Sequence, residues 1–370
     1  MSFDIKMLLN FLWSLTIFKL NNHNLELVAK NMITSCKFFG FNFTLNGDLI
    51  LVIIYNLWQY KVIFCPLFIR VLFFLHKYFL SGIWHILPKS IYEKVKGSFE
   101  KTSDKDELSK RLDEELANSK HPVMLYSAFL LNIFVSGNSN SRAAAHRIEL
   151  YKFFQKMDFH TIAFDYRGYG DSTNISPSER GVVEDSLVVY DWLNSTIESN
   201  SSRPPVFVWG HSLGTGISSH LMGNLPELSR NVLERDPLPQ PNGLILEAPF
   251  NNMADVVTNH SLAVLVKWLP YFDDTFVSPF RSSEEYCFKS DTHLAKAKEL
   301  PVLILHAKDD VIIPFIVAVK LYRSILDSRN NDNSKVKLHA YDKQQSLGHK
   351  YICHAEDLNQ VIGEFVSKHR

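Results

Sequence analysis

The chain has no surplus of charge of either sign: its 370 residues carry 39 Lys and Arg against 39 Asp and Glu. A balanced charge provides no global field to draw in nucleic acid, and none is expected as a partner. Cysteine is scarce as well. Cys36, Cys65, Cys287 and Cys353 lie far apart with no C-x-x-C pair, which argues against a zinc site and a disulfide framework alike. No internal repeat or low-complexity tract interrupts the sequence. What remains is ordinary for a globular protein with a sizeable core: 46% hydrophobic and 21% charged residues.

Residues 1–48 carry little signal. Met7 to Phe18 is an apolar run of signal-peptide length, but no small-residue cleavage site follows it, so a non-cleaved interfacial or irregular segment is expected. Residues 49–80 are persistently apolar and aromatic, and about 20 such residues cross a bilayer. A membrane span or membrane-associated helix is expected here. Lys61 and Arg70 oppose a span if they fall at its centre, where a cation costs roughly 2.5–3.5 kcal/mol, but near an end either can snorkel to the headgroups. Residues 81–120 are charge-rich from Glu93 to Lys120 and read as a solvated connector.

From residue 121 to 370 the pattern changes. Val123–Tyr126, Thr161–Phe164, Val206–Trp209, Leu244–Leu246, Val302–Leu305 and Val336–His339 are short apolar or half-apolar runs. Segments long enough for helices separate most of them. That alternation predicts an α/β fold, a mostly parallel sheet covered by helices on both faces.

One of these runs ends in Gly210-x-Ser212-x-Gly214 and leads into a helical pattern. Strand, sharp turn and helix together make a nucleophile elbow, in which small neighbours let the backbone lift Ser212 Oγ above the sheet edge. A serine hydroxyl needs a base, and the base needs a group that orients it. Asp310 follows the Val302 strand and stands four residues before Pro314; His349 lies in a glycine-containing loop past the next strand. The order Ser, acid, His is that of the α/β-hydrolase fold. Asp309, His339 and His354 compete for these roles, and His306 is expected to be structural. Leu213 N–H is the expected first oxyanion donor. Gly137 and Asn138 stand where the second should come from, and Asn138 is the candidate.

Several motifs add to these residues. Phe164–Ser172 (Phe-Asp-Tyr-Arg-Gly-Tyr-Gly-Asp-Ser), Pro177–Gly181, Trp209–Gly216, Leu246–Phe250, Leu305–Asp310 and Gly348–Tyr351 together resemble the α/β-hydrolase domain-containing protein 12 family, from about Gly82 to the C-terminus. The resemblance implies an α/β-hydrolase fold and a serine hydrolase acting on monoacylglycerols or lysophosphatidylserine. Its triad falls on Ser212, Asp310 and His349, and it needs no metal or cofactor. It also implies an N-terminal membrane segment with the catalytic domain in the lumen of the endoplasmic reticulum, a side of the membrane that the sequons at Asn174, Asn194, Asn200 and Asn259 permit.

The chain departs from that pattern in one place. The family strand runs directly into His-Gly-Asn-Ala-Gly, whereas here the apolar segment Ser127–Val135 precedes Ser136-Gly-Asn-Ser. An apolar run from Val123 to Val135 exceeds the five or six residues typical of a strand.

Arg142, His146 and Arg147 are candidates for contact with an anionic headgroup, against a solvated helix start. His160–Asp165 fits an H-x-x-x-x-D acyltransferase pattern by chance, with Asp165 and Arg167 expected to brace a loop. Leu265, Trp268, Leu269, Tyr271 and Phe272 suit either a lid over an acyl-chain pocket or core packing. The leading expectation is a membrane-attached lipase acting on a single-acyl glycerolipid. A catalytically impaired binding protein and a soluble esterase or thioesterase are the alternatives.

Overall fold

A computed structural model of the chain describes residues 33–38, 41–46, 83–99, 105–129, 141–198, 203–283 and 285–370. The expected membrane segment 49–80 lies outside them. The chain divides into two compact units, Met1–His76 and Lys77–Arg370. In the first, β1 (Ile33–Phe38) pairs antiparallel with β2 (Phe41–Asn46), in register from Ile33 opposite Asn46 to Phe38 opposite Phe41. The alternation Phe41-Asn-Phe43-Thr-Leu45-Asn is a strand pattern of period two. The segment Met7–Phe18, expected to be interfacial or irregular, lies outside the described residues.

The second unit is built on a seven-stranded sheet in the order β3-β5-β4-β6-β7-β8-β9. Its strands are β3 (Ile83–Ile86), β4 (Val123–Phe129), β5 (His160–Phe164), β6 (Val206–Ser212), β7 (Gly243–Glu247), β8 (Val302–Ala307) and β9 (Val336–Tyr341). Every pairing is parallel except β3 with β5. The fold is that of the α/β hydrolases.

The supposed connector is therefore partly structural. It supplies the edge strand β3 and the helices α1 (Lys89–Phe99) and α2 (Lys105–Ala117). Leu116, a single fully buried side chain, ties α2 to the core. A charge-rich helix with few anchors looks like a solvated segment in sequence, because most of its surface does face water.

Side chains leave a strand alternately to its two faces, and the core follows that rule. Val123, Leu125, Val206, Val208, Leu244, Leu246, Val302 and Ile304 enter one apolar layer. Helices α4 (Glu179–Ile197), α5 (Leu213–Gly223) and α10 (Phe315–Ser328) cover it. Met124, Tyr126, Phe207, Trp209, Ile245, Leu303 and Leu305 enter the other, under α3 (Ala145–Lys156) and α11 (Leu358–Lys368). Helix α6 (Leu225–Val232) follows α5.

Between β7 and β8 the chain builds a cap. It comprises α7 (Met253–Asn259), a 3-10 turn (Ser261–Leu265), a π turn (Asp273–Val277), α8 (Ser278–Ser282) and α9 (Ser290–Leu294). Phe272, Ala263 and Val277 form a small buried cluster, with Leu269 against it. Val264, Leu265, Trp268 and Tyr271 are exposed, Trp268 at 77%, so core packing does not account for them. Among the described residues no helix is long and apolar enough to cross a membrane.

Candidate active site

The site lies at the carboxyl ends of the parallel strands, where open α/β sheets bind ligands. β6 ends on Ser212 and α5 starts on Leu213, so the chain reverses within one residue. Ser212 takes φ 57°, ψ −122°, a left-handed conformation that a residue with a Cβ adopts only at a cost of about 1–3 kcal/mol. Gly210 makes room for the turn, since a Cβ there would meet the Gly214 carbonyl oxygen at 2.7 Å. Thr215 Oγ1 donates to the Ser212 carbonyl at 2.6 Å and pins the elbow.

Three residues distant in sequence converge on this point. His349 Nε2 lies 2.9 Å from Ser212 Oγ, and His349 Nδ1 lies 2.7 Å from Asp310 Oδ2. Asp310 Oδ1 accepts the N–H groups of Ile312 and Ile313 at 2.8 and 2.9 Å, which fixes the carboxylate plane. Burial opposes charge on Asp310, but His349, His306 and the Ile313 N–H outweigh it and hold its pKa below the ordinary carboxylate value. The carboxylate thus accepts the Nδ1 proton and leaves the Nε2 lone pair for the serine hydroxyl.

The loop that carries His349 is braced twice. Gly348, at φ 56°, donates its N–H to Asp309 Oδ2 at 2.9 Å. His211 Nε2 donates to the His349 carbonyl at 2.8 Å. Burial, with His349 nearby, drives the His211 pKa well below its ordinary value, so this ring stays neutral and gives one proton to that bond. Asp309 is therefore a loop brace beside the acid that contacts the imidazole.

The competing histidines lie elsewhere. His339 Nε2 is 3.0 Å from Asp357, and His354 Nε2 is 2.6 Å from Glu149. His306 Nε2 donates to the Ile313 carbonyl at 2.9 Å, the structural role expected of it. Leu213, the first residue of α5, has an N–H from the unpaired first helical turn. Asn138 and Gly137, the candidates for the second oxyanion donor, lie outside the described residues.

Two expectations around this site change. Asp165 is braced by Arg142 rather than Arg167: it accepts the Arg142 N–H at 2.6 Å and Nη1 at 2.7 Å, while Arg142 also holds Asp171 at 2.5 and 2.7 Å. Arg167 pairs with Asp185 instead. Arg142, His146 and Arg147 are all buried, so the solvated helix start is excluded. Arg142 is spent on its two carboxylates and on the face of Trp84, 5.2 Å from the ring centre.

An apolar cavity of about 180 Å³ opens beside the elbow, lined by Leu213, Ile217, Val182, Phe280, Tyr286 and Phe288. A cleft of about 310 Å³ lined by Lys120, Arg203 and Arg370 lies by Pro204 and Pro205, at the start of β6 and so at the opposite end of that strand from Ser212.

Fold and site define a protein of the α/β-hydrolase class, and the sequence comparisons narrow it. Residues 134–277 match the family described as Serine aminopeptidase, S33. Lysophosphatidylserine lipase ABHD12 of Rattus norvegicus is 36% identical over 287 residues, 78% of this chain and 64% of that protein. Protein ABHD12B of Homo sapiens is 31% identical over 289 residues, 78% of this chain and 70% of that protein. The chain belongs to the ABHD12 family. It spans about 64% of the length of the rat relative. Among solved structures, an esterase of Pyrococcus furiosus aligns with a TM-score of 0.46 and 18% identity over 68% of this chain and 82% of that one, a likeness too slight to bear on the site.

Proposed function

We propose that the chain is a serine hydrolase that cleaves the acyl ester of a single-chain glycerolipid, a monoacylglycerol or a lysophospholipid of the lysophosphatidylserine type. The observation that carries this reading is the continuous contact from Asp310 through His349 to Ser212 Oγ at 2.7 and 2.9 Å. His349 takes the hydroxyl proton as Ser212 attacks the ester carbonyl, and Asp310 stabilises the imidazolium. Leu213 N–H, at the positive end of α5, receives the developing oxyanion. His349 then protonates the leaving glycerol oxygen, and water attacks the acyl-enzyme by the same route in reverse.

The substrate class rests on two supports. The relatives named above include lysophosphatidylserine lipases, and the apolar cavity beside Leu213 suits an acyl chain. The exposed Val264, Leu265, Trp268 and Tyr271 of the cap, with Val311 at 65% and Ile316 at 49% exposure on the Asp310 side, suit contact with a bilayer. Ser261 Oγ donates to the Val311 carbonyl at 3.3 Å, which sets the start of the cap against that loop. Purified full-length chain in detergent is expected to release fatty acid from lysophosphatidylserine and monoacylglycerol, and Ser212→Ala to lower turnover by roughly 10⁴-fold or more. Equal turnover by both proteins, or none by either, contradicts the reading.

Attachment through residues 49–80, with the catalytic domain in the endoplasmic reticulum lumen, belongs to the same proposal. Asn174 is exposed, whereas Asn194 is buried and donates to the Tyr190 carbonyl at 2.6 Å, leaving it unable to carry a glycan in the folded domain. Protein made in cells with a secretory pathway is expected to lose mass on deglycosylation, and Asn174→Gln to remove part of that shift. A chain with no glycan at any sequon contradicts the luminal placement.

A further inference from the structure

Away from the Ser212 site, three side chains from three separate elements point at one another. Glu179 is the first residue of α4, His220 lies near the end of α5, and His293 lies in α9. His220 Nδ1 is 2.7 Å from Glu179 Oε1, and His293 Nε2 is 3.7 Å from the same oxygen. The two imidazoles stack at 3.9 Å between centres, tilted by 23°. One nitrogen from each ring and one carboxylate oxygen lie within 4.8 Å of one another.

The carboxylate is only 3% exposed, yet both of its ion-pair partners among the described residues are histidines; it pairs with no lysine or arginine there. A buried carboxylate is costly unless a cation or a full set of donors meets it. Phe288 N–H donates to Oε2 at 2.7 Å, and Oε1 faces the two imidazoles, with no lysine or arginine paired to it among the described residues.

We propose that Glu179, His220 and His293 form a binding site for a zinc-class divalent ion. Two imidazoles and one carboxylate are a donor set that zinc accepts, with a fourth position left for water or another ligand. Cys287 Sγ stands 3.7 Å from the other carboxylate oxygen, Oε2. Zinc holds nitrogen and oxygen donors at about 2.0–2.2 Å, roughly 3.4 Å from one another in a tetrahedron, so His220 Nδ1 has to draw back from Glu179 Oε1 and the stacked rings have to turn until both nitrogens face the ion. Asn224 Nδ2 lies 2.8 Å from His293 Nδ1, with Lys296 Nζ on the amide oxygen at 2.5 Å. The same Nδ2 donates to the His220 carbonyl at 2.8 Å, so Asn224 ties the segments that carry the two histidines together.

The placement suggests what the ion does. Phe288 N–H donates to Glu179 Oε2 at 2.7 Å, and Glu179 N–H donates to the Glu285 carbonyl at 2.8 Å. Phe288, Glu179 and the α5 residues Leu213 and Ile217 line the cavity beside the elbow. An ion here staples the returning limb of the cap to α4 and α5, so that it holds the cavity wall in place. Spacing rules on cysteine pointed away from zinc because these ligands are joined by the fold alone. The inference stands independently of the role given to Ser212.

The test is zinc titration of the full chain in detergent, by equilibrium dialysis and thermal unfolding. The wild-type chain is expected to retain one tightly held zinc ion and to melt higher with it. The pair of changes His220→Asn and His293→Asn should weaken that binding by more than about 100-fold and abolish the rise in Tm. If the pair folds poorly without metal, His220→Asn alone, at a partly exposed ring, is expected to cost at least about tenfold. The trio Glu149, Cys353 and His354, with Cys353 half-buried and the other two exposed, is the control: His354→Ala should leave tight binding unchanged. Wild-type protein that retains no zinc, His220 or His293 variants that bind as wild type does, or loss of binding with His354→Ala instead, overturns the proposal.

Discussion

Adjacent carboxylates in one turn do different things because their oxygens meet different groups. Asp310 receives two backbone N–H groups on one oxygen and His349 Nδ1 on the other, whereas Asp309 receives the Gly348 N–H. The spacing to Pro314 pointed to Asp310, and Asp310 is the one whose carboxylate meets His349. Glu247 was not singled out by any spacing. It ends β7 almost fully buried, with the Trp209 indole N–H donating to it at 2.8 Å. Burial drives its pKa up to about 8, against the pull of Trp209 and with the push of Asp310. A folded pKa above the ordinary 4.5 means that the fold favours the protonated acid. Its contribution to stability is full below pH 4.5 and is lost as pH rises through 8. Glu247→Gln, neutral at every pH, should match wild type near pH 4.5 and gain on it by on the order of 1 kcal/mol per pH unit up to about pH 8, where the difference levels off. Thermal melts across that range check this; a difference that does not grow with pH contradicts it.

At the level of elements, the sequence was most legible where burial is two-sided. The six runs expected as strands are strands: the five inner ones sit under helices on both faces and read as mostly apolar residues, whereas the edge strand β9, Val336-Lys-Leu-His at its start, is only half-apolar and half-buried. The elbow was legible because its backbone needs small residues at fixed positions, as the clash of any Cβ at Gly210 shows. Edge strand β3 and helices α1 and α2 were not. An edge strand of four residues and helices with few buried side chains leave little periodic signal against a charged background. The cap was legible in composition but not in form, since Leu269 and Phe272 pack inward while Trp268 and Tyr271 face out within the same short stretch. Contacts between elements were the least legible. Arg142 with Asp165 and Glu179 with His220 and His293 bring together residues between 23 and 114 positions apart, counted from the residue numbers, and no local pattern marks which partner each will find.

At the level of the whole molecule, a parallel sheet brings the ends of β6, β8 and β9 to one edge, and so brings Ser212, Asp310 and His349 together from a span of more than a hundred residues. The apolar cavity opens beside that same site, lined by Leu213 and Ile217 of α5, and under the proposed function it is where the acyl chain lies. The central claim is that this arrangement activates Ser212 as a nucleophile. The most direct measurement is covalent labelling of the full-length chain by a fluorophosphonate probe, with the modified residue located by mass spectrometry. The account predicts a single rapid adduct on Ser212 that Ser212→Ala abolishes; an adduct on another residue, or labelling that survives Ser212→Ala, contradicts it.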